Sequence, residues 1–437
     1  MSWLWALLAV PAVGAWAWGA RVERRARRVW RAAAASLGLE GSTRVLSGDI
    51  DGCAVVVRRG EQRGIAGAEV RVRAHAPLSP RLSMGPVGAL SAVLKVVAGG
   101  GDDVETGDPR FDGAVSVQGD PALALAVLSP ATRRLFERLV GLGGVLDAGE
   151  LRRPVAGDDV VGAVRSLLRA ARALRGVEVV AGLAERVAQD PHPAVRRRAL
   201  KVLIERWPGE AATGAAVEAA AGARDPALRL MVGRHLEGEA GLAVLRGVAG
   251  EAGEVGGEAL AALVERSSPA AVAPALVELL DGPQAARAAT LLGRLGRREA
   301  AAALRARVGG ADDEAASAMA RALGALGDGE AEGALIGLLG RAGARVAAAE
   351  ALVTVGTPAA LAALLPLTEG LSLPGALKQA AGAAVAAIRA RRPAGLVGGL
   401  ALADGGEGGG LAVVEGEGRL AVGRAERMMS SNAEEGS

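Results

Sequence analysis

The chain has 437 residues with 51 basic and 48 acidic side chains, a net charge of +3, and only 2% aromatic residues: two Phe, six Trp and no Tyr. A single cysteine excludes an internal disulfide framework and any multi-cysteine zinc site, and three histidines leave little room for imidazole chemistry. Alanine (98 residues) makes up much of the 51% hydrophobic share and glycine adds 64 residues, which suits close-packed helices better than a sandwich or barrel.

At this length two or more domains are expected. The charge is concentrated: residues 21–31 carry six Arg and one Glu, whereas residues 393–437 carry three Arg against seven acids. The 48 arginines beside three lysines are read as compositional bias and not as phosphate recognition.

From the N-terminus, residues 3–20 form an uncharged apolar run of 18, at the lower limit for crossing a hydrocarbon core of about 30 Å. Trp3 and Trp5 stand at one end, and Trp16 and Trp18 at the other, with Trp30 beyond, in the pattern of an aromatic belt. Arg21, Arg24, Arg25, Arg27, Arg28 and Arg31 follow. A cleaved signal peptide wants positive charge before the apolar run, where only Met1 and Ser2 stand. A buried soluble helix would not lead into so basic a segment. The expectation is a transmembrane anchor with a basic juxtamembrane segment over 1–36, N-terminus out and the bulk of the chain cytoplasmic.

Residues 37–155 read as a small α+β domain. Two β-prone runs flank Asp51-Gly52 and predict a hairpin; Ala68–Ala74 alternates as a half-buried strand; Ala114–Val117 is strand-like; Pro121–Leu142 reads as one helix; and Leu146–Leu151 reads as strand–turn–strand. Cys53 is expected as a small core residue. Asp102, Asp103, Glu105, Asp108 and Asp112 gather in a Gly-rich loop that would chelate a hard cation, although aspartate also favours such turns for its local hydrogen bonds. Residues 156–177 are assigned to a linker helix.

From 178 to 392 the period becomes helical, and a longer repeat appears. Leu203, Leu236, Leu263, Leu295, Leu326, Val355 and Ile388 recur at spacings of 33, 27, 32, 31, 29 and 33 residues, with loop signals between them. Each unit would hold two helices that cannot bury their apolar faces alone, so units must stack. Asp190-Pro191-His192-Pro193-Ala194-Val195-Arg196 and Asp225-Pro226-Ala227-Leu228-Arg229 resemble the inter-helix turn and second helix of HEAT repeats. The short period resembles the bacterial HEAT-like type also found in phycobilisome-lyase proteins. That resemblance implies an α-solenoid in which Asp190, Arg196, Asp225 and Arg229 hold repeats together. Arg197, Arg198 and Arg234 are the candidates for partner contact. The iron-binding hydroxylases of similar fold place His-Glu pairs on their helices, and no His-Glu dipeptide occurs in this chain. There is no glycine-rich phosphate loop ending in Gly-Lys, no nucleophile elbow and no His-Glu-x-x-His.

Residues 393–437, with 12 glycines and acidic separators, read as a disordered tail. The expected whole is an α-solenoid preceded by a single transmembrane helix and a small α+β domain. Its expected role is that of a membrane-tethered scaffold for protein–protein interaction, not an enzyme, with no cofactor and no metal. The alternatives are a regulatory subunit or metal-dependent enzyme using the acidic loop, and nucleic-acid binding by the solenoid, which a net charge near zero over the repeats disfavours.

Overall fold

The computed structural model describes residues 24, 27–62, 65–75, 82–88, 103–156, 159–369 and 373–391. Within them the chain is mostly helical, with one eight-stranded antiparallel sheet near the N-terminus. It divides into two compact units at residues 266 and 267.

The first unit begins with the sheet. Its strands are β1 (Glu40–Gly41), β2 (Val45–Ile50), β3 (Cys53–Gln62), β4 (Ile65–Ala74), β5 (Ser83–Pro86), β6 (Val115–Gln118), β7 (Val145–Asp147) and β8 (Glu150–Ala156). They lie in the order β1-β2-β3-β4-β8-β7-β5-β6. Two hairpins set the register through two-residue turns with positive φ at both positions, Asp51-Gly52 at 53° and 67° and Ala148-Gly149 at 47° and 74°. This mirror-image turn matches the twist of the flanking strands. The period-2 pattern then puts Leu46, Val57 and Val70 in one row and Val55, Val72 and Leu151 in the next, all buried.

Helix α1 (27–37) and helices α2 (Pro109–Ala114), α3 (Pro121–Val127), α4 (Pro130–Gly141) and α5 (Val160–Ala173) accompany the sheet. Helices α2, α3 and α4 share one starting device: a side-chain cap from Asp108, Asp120 or Ser129, followed by proline in the first turn, where its missing N–H is not needed. The single helix expected over 121–142 is two helices for the same reason. Pro130 holds Ser129 in an extended conformation and the Ser129 hydroxyl caps the new helix at Thr132 N, 3.1 Å away. Both phenylalanines, Phe111 and Phe136, sit in the core against the sheet. So do Val160, Ala163, Val164 and Leu167 of α5, and the segment read as a linker helix is therefore part of the sheet's core. Cys53 is buried in the same core.

Six further helices complete the first unit as three pairs: α6 (Val179–Gln189) with α7 (Pro193–Arg206), α8 (Ala211–Ala221) with α9 (Pro226–His235), and α10 (Gly238–Ala249) with α11 (Gly253–Arg266). The second unit, described by itself, holds four pairs: α12 (Pro269–Glu278) with α13 (Ala285–Arg294), α14 (Ala301–Val308) with α15 (Asp313–Leu326), α16 (Glu332–Leu338) with α17 (Arg345–Val355), and α18 (Leu361–Glu369) with α19 (Gly375–Ala390). All seven recurring apolar residues stand at the C-terminal end of the second helix of a pair. Leu203, Leu263, Leu326, Val355 and Ile388 are buried there, and Leu236 and Leu295 are the residues that end α9 and α13. In the second unit α13, α15 and α17 touch through small residues. A Cβ on Gly293 would lie 3.0 Å from Ala322 Cα, and one on Gly324 would lie 2.7 Å from Ala351 Cα. The alanine and glycine content serves this close approach of helix axes.

The membrane assignment is corrected. No helix among the described residues is long and apolar enough to cross a membrane; the longest of the paired helices, α19, has 16 residues. This overturns the transmembrane helix in the expected fold, and with it the single-pass, N-terminus-out placement. The apolar run itself, with Trp3, Trp5, Trp16, Trp18, Arg21 and Arg25, lies outside the described residues, as does the tail 393–437. Arg24, Arg27 and Arg28 are described and exposed. Trp30 is no interfacial ring: it is 6% exposed in the sheet core, and its Nε1 donates to the Ser42 carbonyl at 3.0 Å.

Candidate functional site

The most elaborate polar constellation in the first unit joins the sheet's loop 103–112 to the first helix pair. Its centre is Arg133, on α4, with a side chain only 2% exposed. Its Nε donates to Asp108 Oδ2 at 2.9 Å, its Nη1 to Asp190 Oδ2 at 2.9 Å and to the Leu128 carbonyl at 3.0 Å, and its Nη2 to Asp190 Oδ1 at 3.0 Å. His192 Nε2 lies 3.3 Å from Asp108 Oδ2, and Asp190 Oδ1 also accepts from the His192 N–H at 3.1 Å. One guanidinium thus satisfies two buried carboxylates, with a half-exposed imidazole beside them. A buried charge tolerates its desolvation only with such full pairing.

The acidic loop is built inward. Asp112 accepts at one oxygen from Thr106 N and Oγ1, at 2.9 and 2.8 Å, and at the other from Gly107 N at 2.8 Å. Asp108 Oδ1 caps α2 at Phe111 N. Asp103 accepts from the Ser116 hydroxyl at 2.8 Å, and Glu105 pairs with Arg198. A cleft of about 340 Å³ opens beside this loop, lined by Asp103, Glu105 and Asp112 with Val104, Val115 and Val117. Among the described residues no group of three His, Cys, Asp or Glu side chains is arranged to hold a metal ion. Asp102 lies outside the described residues.

The repeat residues take partners that spacing did not assign. Asp190 pairs with Arg133 and not with a repeat arginine. Arg196 donates through Nε to the Val187 carbonyl at 2.6 Å, within its own pair. Arg197, expected to face a partner, instead reaches the turn aspartate of the next pair, with Nη1 2.7 Å from Asp225 Oδ2. Arg229 reaches Glu251, and Arg234 reaches Glu258 at 2.9 Å. The three arginines proposed for partner contact, Arg197, Arg198 and Arg234, are thus all held in ion pairs within the chain.

A second arginine device carried no sequence signal. Arg266, at the end of α11, donates to the carbonyls of Gly233 and Leu236, both at 2.6 Å, at the end of α9. In the second unit Arg391 does the same from the end of α19 to Val353, Thr354 and Gly356, at 2.6, 2.7 and 2.8 Å. Arg341 donates to Ala311 O and Asp313 at 2.8 and 2.6 Å. Each places a cation on the negative, unpaired end of a helix in the preceding pair.

At the far end of the sheet Arg172 holds Asp51 at 2.7 Å, and Arg175 donates to the carbonyls of Asp51 and Gly52 and to the Cys53 sulfur. Burial pushes the Cys53 thiol up from its ordinary value, against the smaller opposing influence of Arg175. His75 pairs with Asp49 on the hairpin's other side.

No protein-family model matches the chain, and no curated protein sequence matches it.

Proposed function

We propose that the seven helix pairs are HEAT-like repeats and that the chain works as a non-catalytic scaffold whose helical surface binds a partner protein. The observation that carries this reading is the recurrence of the arginine links. Arg266 and Arg391, at the ends of their pairs, close helix-end carbonyls of the pair before, and Arg197 reaches the turn carboxylate of the pair after its own. Arginines committed to neighbouring pairs stiffen the helical surface of each unit and leave fewer of them for chemistry. A repeat array supplies area and shape for binding and not reacting groups.

The test is site-directed photocrosslinking of the full chain in its host cell. A photoreactive residue is placed in turn at Glu218, Glu265, Arg294 and Arg389, all exposed on paired helices. Adducts to one and the same protein from neighbouring positions are expected. Adducts at none of the four, or only to unrelated abundant proteins, would overturn the reading.

A further inference from the structure

The sheet's helical layer carries a charge pattern that the scaffold reading does not use. Helices α1 and α5 cover the same side of the sheet. Trp30 and Ala33 of α1 and Val164 and Leu167 of α5 share one core with Leu46, Val57 and Val70. Helix α5 lies over β3, β4 and β8, and Leu39, just after α1, meets β2 at Gly48. The two helices therefore form one layer.

The outward faces of this layer both carry exposed arginines at helical spacing. Arg28 and Arg31 on α1 stand three apart, Arg165, Arg169 and Arg172 on α5 follow i, i+4, i+7, and all five are exposed. At 1.5 Å per residue the α5 stripe is about 10 Å long. No acidic residue occurs within 27–37 or 160–173, and Arg172 is tied to a carboxylate, Asp51. Arg28, Arg31, Arg165 and Arg169 have no ion-pair partner among the described residues, in contrast to Arg197, Arg198, Arg229 and Arg234 of the helix pairs. Like charges at this spacing on a helix repel one another, so the stripes weaken the free protein slightly and would be relieved by a dense anion.

We propose that this layer binds the phosphate backbone of a nucleic-acid duplex. Guanidinium forks match phosphate oxygens bidentately. A duplex presents one charge per about 1.7 Å of its axis, so a stripe of about 10 Å faces roughly six phosphates. An extended acidic peptide carries at most about three charges over that length. The layer exposes no aromatic ring, since Trp30 is buried and α5 has none, so base stacking on single strands has no platform. Contact is with backbone only and carries no sequence preference.

Fluorescence anisotropy of a short mixed-sequence DNA duplex with the full chain, across a salt series, tests this. The logarithm of affinity should fall against the logarithm of salt with a slope of about −4, for four to five phosphate contacts. R28Q/R31Q and R165Q/R169Q, on separate helices, should each flatten the slope by about 2 units. Arg58→Gln, on the strand face turned away from this layer, should leave the slope unchanged. A slope near zero, or slopes unmoved by both double variants, would overturn the proposal. So would equal competition by polyglutamate, or binding to phosphatidylserine vesicles without binding to the duplex.

Discussion

Arg133 grips Asp190 through two parallel hydrogen bonds of 2.9 and 3.0 Å across 57 residues of sequence. The pair ties the helix that flanks the sheet to the turn that opens the second helix of the first pair. The bidentate geometry fixes direction as well as charge, so this pair cannot hinge freely on the sheet.

Arg133→Met should cost about 3–5 kcal/mol, because it leaves Asp108 and Asp190 buried without their cation. R133M/D108N/D190N removes all three charges and should recover most of that loss. Urea denaturation of the three proteins, with midpoint and slope both fitted, measures it. Equal stability of R133M and the native chain would show that the buried charges are satisfied elsewhere.

Gly324 and Gly382 are both helical glycines, with opposite prospects. A Cβ at Gly324 meets Ala351 Cα at 2.7 Å, whereas one at Gly382 meets nothing within 4 Å. Gly324→Ala should destabilise by about 1–3 kcal/mol through overpacking. Gly382→Ala should stabilise by roughly 0.5–1 kcal/mol, since nothing opposes the propensity gain. Thermal midpoints moving in the same direction for both would contradict the close approach of α15 and α17.

Ala148 holds φ at 47° where its hairpin counterpart, Asp51, holds 53°. A left-handed conformation costs an alanine about 1–2 kcal/mol, and asparagine tolerates it. Ala148→Asn should therefore raise the thermal midpoint by a few degrees. A lowered midpoint would mean that the turn is held by something other than its own backbone preference.

Cys53 should be inert and should weaken the fold in alkali. Its thiol is raised above the ordinary 9.0, first by burial and against Arg175. The neutral form is favoured in the folded chain, so the stabilisation is complete below about pH 9 and is lost as pH rises through the folded value, because the unfolded thiol ionises first. The stability difference between native protein and Cys53→Ala should shrink from pH 8 to pH 10.5. Alkylation at pH 8 should be slow without denaturant and fast with it.

Much of the fold was legible because it rests on local rules. The Asp51-Gly52 turn, the alternation in Ala68–Ala74 and the recurrence of the seven apolar residues each report a period set by backbone geometry. The split at Pro130 was legible too, and the single helix read over 121–142 gave too little weight to a proline preceded by serine. The residue pattern misled over the anchor, since no helix among the described residues is long and apolar enough to cross a membrane. An apolar run and arginines suffice to suggest an anchor, yet Trp30, grouped with that belt, turns into the sheet core.

By itself, the sequence determined the hairpin at Asp51-Gly52, the alternation of Ala68–Ala74, how often the helix pair recurs, and that small residues would let helices approach. Only the tertiary structure decided which charges meet. A carboxylate's partner depends on what lies within about 4 Å after folding, and Arg133 is 25 residues from Asp108 and 57 from Asp190, far beyond any helical or strand period. The same holds for Arg266 and Arg391, whose acceptors are backbone carbonyls and leave no mark in the residue pattern. It holds also for the two arginine stripes, one at the edge of the presumed anchor and one in the presumed linker, which the sheet places in one layer because their apolar sides share its core.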